Sequence, residues 1–185
     1  ILCPETPFEE ERFLSRVQDL YDEKKGVVVV ASEGLRYADG KPIVEPVFQT
    51  GRSVYFGDVS AHLSQLVTRR LGIKSRSEKP GILGRASVRW ASDVDRMEAI
   101  GCGRASVGAL LAGKSGWMST ITRLSTEPYR TSIDLIPIED AVLQAKTLPK
   151  AYLDGEHYDV SDAFTQWLRP LVGDDLGSFI SFLNT

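Results

Sequence analysis

Residues 27 to 34 read VVVVASEG. Four successive valines show no alternation of polar and apolar side chains. The stretch therefore predicts a short interior strand over 27–32, covered on both faces as in a parallel sheet. Gly34 then lets the chain turn sharply. Just upstream, Phe13, Leu14, Val17, Leu20 and Tyr21 recur at helical spacing on one face. Thr6, Pro7 and Glu9 predict the start of that helix, as a capping box with proline at the first position. Lys24 and Lys25 fill its last turn, and Gly26 is the expected stop. The opening ILCPETPF reads as a strand running into a turn. Strand, helix, strand is the order of a parallel α/β unit. The chain begins with Ile1 rather than methionine, and the expectation is a segment of a longer protein.

Downstream, residues 35–57 are rich in loop residues, with a turn at Asp39-Gly40 and a short strand in RSVYF. A second helix starts near Asp58, turns Leu63, Leu66, Val67 and Leu71 inward, and ends at Gly72. Residues 73–90, IKSRSEKPGILGRASVRW, read as a strand or extended segment. A long helix follows, capped by Ser92 or Asp93 and running to about Ala112. It carries a stripe of small residues at Gly101, Ala105, Gly108 and Ala112, which permits close packing. WMSTITR and YRTSIDLIPI predict two strands joined by a turn at Thr126-Glu127-Pro128. A short helix is expected over 139–146 and another from Ser161, using Phe164, Trp167 and Leu168. No repeat or linker interrupts the sequence, so residues 1–185 are read as a single domain.

Composition narrows the function classes. Of 185 residues, 42% are hydrophobic and 25% charged, and the net charge is −3. That balance gives no general attraction to nucleic acid or to an anionic membrane. No apolar run approaches the roughly 18 residues of a membrane span, and no secretory signal is evident. Cys3 and Cys102 are too few and too far apart for a disulfide framework. They are read as buried thiols, in keeping with a cytoplasmic location.

One motif invites a direct reading. Residues 108–115, GALLAGKS, match the glycine-rich phosphate loop. Such a loop needs a strand before it and a helix after it, so that free N–H groups face the phosphates. Here the order is reversed. The match falls on the last turn of a helix, where carbonyl groups point outward, and it is expected to bind no phosphate.

Two other places carry usable chemistry. Ligands of open α/β sheets sit at the carboxyl ends of strands. Glu33 stands at that end of the valine strand, where a carboxylate can accept hydrogen bonds from sugar hydroxyls. A solvated loop glutamate is the plainer alternative. Arg76, Lys79, Arg85 and Arg89 lie within fourteen residues, broken by Pro80-Gly81 and Gly84. Arginine holds phosphate through paired N–H bonds, although a solvated basic face has the same composition. His62 and His157 lack partners at metal-ligand spacing. Asp58, Asp93, Asp95 and Asp140 read as helix caps or first-turn residues.

Taken in order, CPETPFEEERFL, VVVVASEGLRYADGKP, KSRSEKPGILGRAS, DRMEAIGCGRASVGALLAGKSGWMSTITR, PYRTSIDLIPIED and LPKAYLD resemble the C-terminal half of the 6-phosphofructokinase family, most closely its pyrophosphate-dependent branch. The resemblance covers most of the chain. It implies a three-layer αβα Rossmann-like lobe with a mainly parallel sheet. It also implies phosphoryl transfer to the 1-hydroxyl of fructose 6-phosphate, with this lobe holding the sugar phosphate. Glu33 matches the family's sugar-contacting glutamate. Arg85 matches the arginine that closes a short sugar-phosphate motif. Arg76 resembles the arginine that reaches a neighbouring subunit's site. The motif ending at Arg85 departs from the family pattern: Ile82 stands where Tyr or His is usual, and Gly84 where Gln is common.

The same resemblance assigns the donor site, the magnesium-binding aspartate and the aspartate base to an N-terminal half not represented in these residues. Mg2+ and pyrophosphate, or ATP, are thus expected on that absent lobe, and a homo-oligomer is expected of the full-length protein. Two rival readings stay open: a non-catalytic sugar-phosphate-binding or regulatory subunit, and an ATP-dependent phosphofructokinase.

Overall fold

The computed structural model describes residues 1–51, 53–88, 91–141 and 146–173. Within the span read as one domain, the chain divides into two compact units. The first comprises residues 1–82 and 147–161, and the second residues 83–146 with 162 onward.

The first unit holds the main core. Leu2, Phe8, Phe13, Leu14, Val17, Leu35, Ile43, Val59, Leu63, Val67 and Tyr158 are all buried. Helix α1 (Glu10–Lys24) contributes Phe13, Leu14 and Val17, the face predicted by spacing. Its start is not the expected capping box. Glu9 is the N-cap and its side chain makes no capping bond. Instead the Glu9 N–H donates to the Tyr158 hydroxyl at 2.8 Å. Phe8, 2% exposed, donates its own N–H to the Arg36 carbonyl at 2.8 Å. Burying Phe8 against Tyr37 and Tyr158 keeps the preceding chain extended, and this tertiary contact overrides the local cap. At the other end Lys25, not Gly26, takes the left-handed conformation, with φ 57°.

Strands β1 (Pro46–Thr50) and β2 (Ser53–Phe56) form an antiparallel pair. Helix α2 (Val59–Leu71) follows as predicted, capped by Asp58, buried through Leu63 and Val67, and closed by left-handed Gly72. Residues 73–80 run extended. Gly81–Ala86 then form a short helix, α3, where an extended continuation was expected. Pro80 ends the extended run, and the chain passes to the second unit within α3. The two-residue strands Leu153–Asp154 and Asp159–Val160 pair antiparallel and belong to the first unit.

The valine stretch departs most from expectation. Residues 27–30 carry no strand partner beyond one parallel bridge, Leu2 to Ala31. Val28 is 88% exposed and Val30 58%. The segment is extended as predicted, but it is not an interior strand. Among the described residues nothing covers it, and pairing elsewhere is antiparallel.

In the second unit, helix α4 (Asp93–Leu111) has Ser92 as its N-cap, accepting from the Asp95 N–H. Strands β3 (Trp117–Thr126) and β4 (Tyr129–Pro137) form the predicted hairpin, with Ile121 opposite Ile133 and a register shift between Arg123 and Ser125. Helix α4 lies on this hairpin. Glu98 accepts from the Tyr129 hydroxyl at 2.8 Å and from Thr131 Oγ1 at 2.9 Å. Helices α5 (Ile138–Ala141) and α6 (Asp162–Val172) complete the described residues; residues 142–145 of the expected helix lie outside them. The Arg123 guanidinium stacks on Tyr129 and Trp167 and donates to the Trp167 carbonyl at 2.6 Å.

Candidate functional site

The turn at Ser32-Glu33-Gly34 is positioned by two bonds to one residue. The Leu2 N–H donates to the Val30 carbonyl at 2.8 Å, and the Ser32 N–H donates to the Leu2 carbonyl at 3.2 Å. Leu35, 2% exposed, anchors the far side of the turn in the core. Between these fixed points Glu33 is exposed. Its carboxylate has no hydrogen-bond or ion-pair partner among the described residues. A carboxylate held at a defined turn, with its acceptor sites free, can receive hydroxyl donors.

Beside this turn lies a cleft of about 490 Å³. Residues 27–31 line it, and so do Ser75, Arg76, Ser77, Glu78 and Pro80. Its apolar base is Phe13, Leu63 and Val67, and α2 adds the hydroxyls of Ser60 and Ser64. The cleft brings Arg76 to the valine segment whose far end carries Glu33. Arg76 is exposed and has no partner among the described residues. The serines were not singled out from sequence. The signal available was their spacing: residues four apart, as Ser60 and Ser64 are, share one helix face.

The base of the 73–80 segment is tied down by charge. Lys79 Nζ lies 3.4 Å from an Asp58 carboxylate oxygen. Asp58 also accepts from Ser60 Oγ at 2.6 Å and from the Ala61 N–H at 3.0 Å. These bonds, the Ser60 one first, hold its carboxyl down at about 2. Asp58 is thus both helix cap and tether.

Arg85 sits in the last turn of α3, fully open to solvent and in the second unit. Arg89 lies outside the described residues. The phosphate-loop match behaves as expected of a helix terminus: Gly108 is within α4, and Gly113 is left-handed at φ 74°. The Lys114 N–H bonds back to the Ala109 carbonyl at 2.9 Å, and its ammonium lies over the Trp117 ring.

His157 Nδ1 pairs with Asp154 at 2.9 Å, and His62 Nε2 is buried without a partner. Among the described residues no group of three or more His, Cys, Asp or Glu could hold a metal ion. Cys3 and Cys102 are free and half-buried rather than buried. Burial pushes the Cys3 thiol up, and Glu5 adds to the effect. No described helix is long and apolar enough to cross a membrane.

No protein-family model matches the chain. It is 33% identical over 180 residues to a pyrophosphate–fructose 6-phosphate 1-phosphotransferase of Methylococcus capsulatus, which covers 95% of this chain and 42% of that one. The corresponding protein of Rhodospirillum rubrum is 31% identical, with 94% and 45% covered. The crystal structure of a pyrophosphate-dependent phosphofructokinase from Marinobacter aquaeolei superposes with a TM-score of 0.77 at 31% identity, over 97% of this chain and 42% of that one. The chain therefore spans less than half the length of the relatives it matches.

Proposed function

We propose, from the premise that this chain belongs to the 6-phosphofructokinase family and corresponds to the C-terminal half of its pyrophosphate-dependent members, that it is the sugar-phosphate-holding lobe of a phosphotransferase. The full-length protein would transfer a phosphoryl group from pyrophosphate to the 1-hydroxyl of fructose 6-phosphate, in the cytoplasm and as a homo-oligomer. The carrying observation is the match to two such phosphotransferases along nearly the whole chain. In this reading the exposed Glu33 accepts hydrogen bonds from the sugar, Arg85 binds its phosphate, and Arg76 serves a neighbouring subunit's site. Phosphoryl transfer depends on positioning and charge neutralisation by a donor loop and metal. We assign the magnesium ion to the absent half.

The test uses the full-length protein. Charged hydrogen bonds contribute about 1.5–3 kcal/mol. Glu33→Gln and Arg85→Ala should each weaken fructose 6-phosphate use by about ten-fold or more, with pyrophosphate affinity changing far less. Kinetics with both substrates varied decide it. Normal sugar-phosphate kinetics in both variants, or a loss confined to the donor, would overturn the assignment.

A second reading has one observation in its favour. Ile82 and Gly84, where the family motif carries other residues, lie on the exposed helix α3. A non-catalytic subunit that binds the sugar phosphate without turning it over fits that departure. Fructose 6-phosphate binding by a full-length protein that makes no product would select it.

A further inference from the structure

The valine segment has a second edge. In a parallel pairing, the backbone groups of successive residues alternate between the two sides of a strand. Val30 and Ser32 turn theirs to Leu2. Those of Val29 and Ala31 therefore turn the other way, and they have no hydrogen-bond partner among the described residues. The cleft of about 490 Å³ is lined by this segment and by Ser75–Glu78. Residues 73–79 are also extended, and none of their backbone groups bonds to a described residue. Ile73 packs on the core at one end, and Lys79 is tied to Asp58 near the other. Two extended segments with unspent backbone groups thus border one cleft. The chain between them contains helix α2, the kind of crossover that a parallel pair requires.

We propose that residues 73–79 form a strap that closes onto the free edge of residues 27–31 as a parallel strand, and that the open cleft is one of two states of the first unit. Closure satisfies the backbone groups of both segments and shields the exposed valines' edge. It also sets both carboxyl ends on one edge, with Glu33 beyond one and Lys79 beyond the other. Only the use of that edge for a sugar phosphate rests on the reading given above; the closure does not.

Amide hydrogen exchange on the 185-residue chain tests the strap. The Ser32 N–H, bonded to Leu2, is the internal control. A strap closed nine-tenths of the time slows exchange at Val29 and Ala31 by about ten-fold relative to an unstructured peptide. Lys74→Pro and Ser77→Pro remove one donor from each of the two alternating sets of the strap. One of them should release Val29 and Ala31 while Ser32 stays protected. Free exchange at Val29 and Ala31 in the unmodified chain overturns the proposal. So does protection that survives both prolines, which would put a different strand on that edge. A second measurement does not depend on the proline variants. Nitroxides on Val29→Cys and Ser77→Cys, with Cys3→Ser and Cys102→Ser, should show strong dipolar broadening, because paired strands lie about 5 Å apart. Sharp spectra would rule the closed state out.

Discussion

Gly101 and Gly108 occupy the same stripe of helix α4, yet they do different things. A Cβ added at Gly101 would come within 2.3 Å of Ile133 Cδ1, whereas one at Gly108 would meet nothing within 4 Å. Gly101→Ala should therefore destabilise the second unit by about 1–3 kcal/mol, the usual cost of overpacking. Gly108→Ala should be neutral or stabilise it by roughly 0.5–1 kcal/mol, since alanine suits a helix better than glycine. Denaturant midpoints of the two variants check this, and Ile133→Val should relieve the first. The sequence marks all four small residues alike, because spacing reports which face is small and not which member of it touches a neighbour. Glu33 and Arg76 were legible for the opposite reason. A carboxylate after a β-branched run and an arginine in a glycine-broken stretch are local signals. The serines that share the cleft with Arg76 are common residues, and only the fold gathers them.

Among the elements, helices were read best where their caps are local. Asp58 caps α2 as its position predicts, because an acceptor three residues before a free N–H is a short-range contact. The start of α1 was misread because its cap comes from a tyrosine 149 residues away. Lys25 at its end was misread because a left-handed lysine has no sequence mark. The valine run gave its extended backbone correctly and its surroundings incorrectly, since four valines say what a strand prefers and not what lies beside it. The Asp58 cap carries a pH prediction. Its carboxyl is depressed in the folded chain to about 2, below the ordinary value of about 3.9. The stabilisation is therefore fully present above about pH 4 and is lost as pH falls through about 2. Because Asp58 is 39% exposed, solvent screening keeps the effect modest. Urea midpoints followed from pH 5 to pH 2 should fall less steeply for Asp58→Asn than for the unmodified chain. Asp58→Ala should lose about 1 kcal/mol at neutral pH through the missing cap.

At the scale of the whole molecule, the α/β class and the family were legible because motifs in a fixed order constrain each other more than any one of them does. The division into two units was not, since no linker marks it. As the chain spans less than half of its relatives, purified chain supplied with fructose 6-phosphate, pyrophosphate and magnesium should form no fructose 1,6-bisphosphate in a coupled assay; measurable product would mean that these residues suffice for transfer. The division has a further consequence. Tyr158 closes the first unit's core beside Phe8, but residues 83–146 of the second unit come between it and the rest. On a ribosome the first unit cannot finish its core when residue 82 emerges. At translation rates of roughly 5–20 residues per second, Phe8 and the start of α1 wait about 4 to 15 s for Tyr158. During that interval the second unit is made and can fold first, so the order of assembly runs against the order of the sequence. A nascent chain stalled before residue 158 would present the first unit's unfinished core to chaperones.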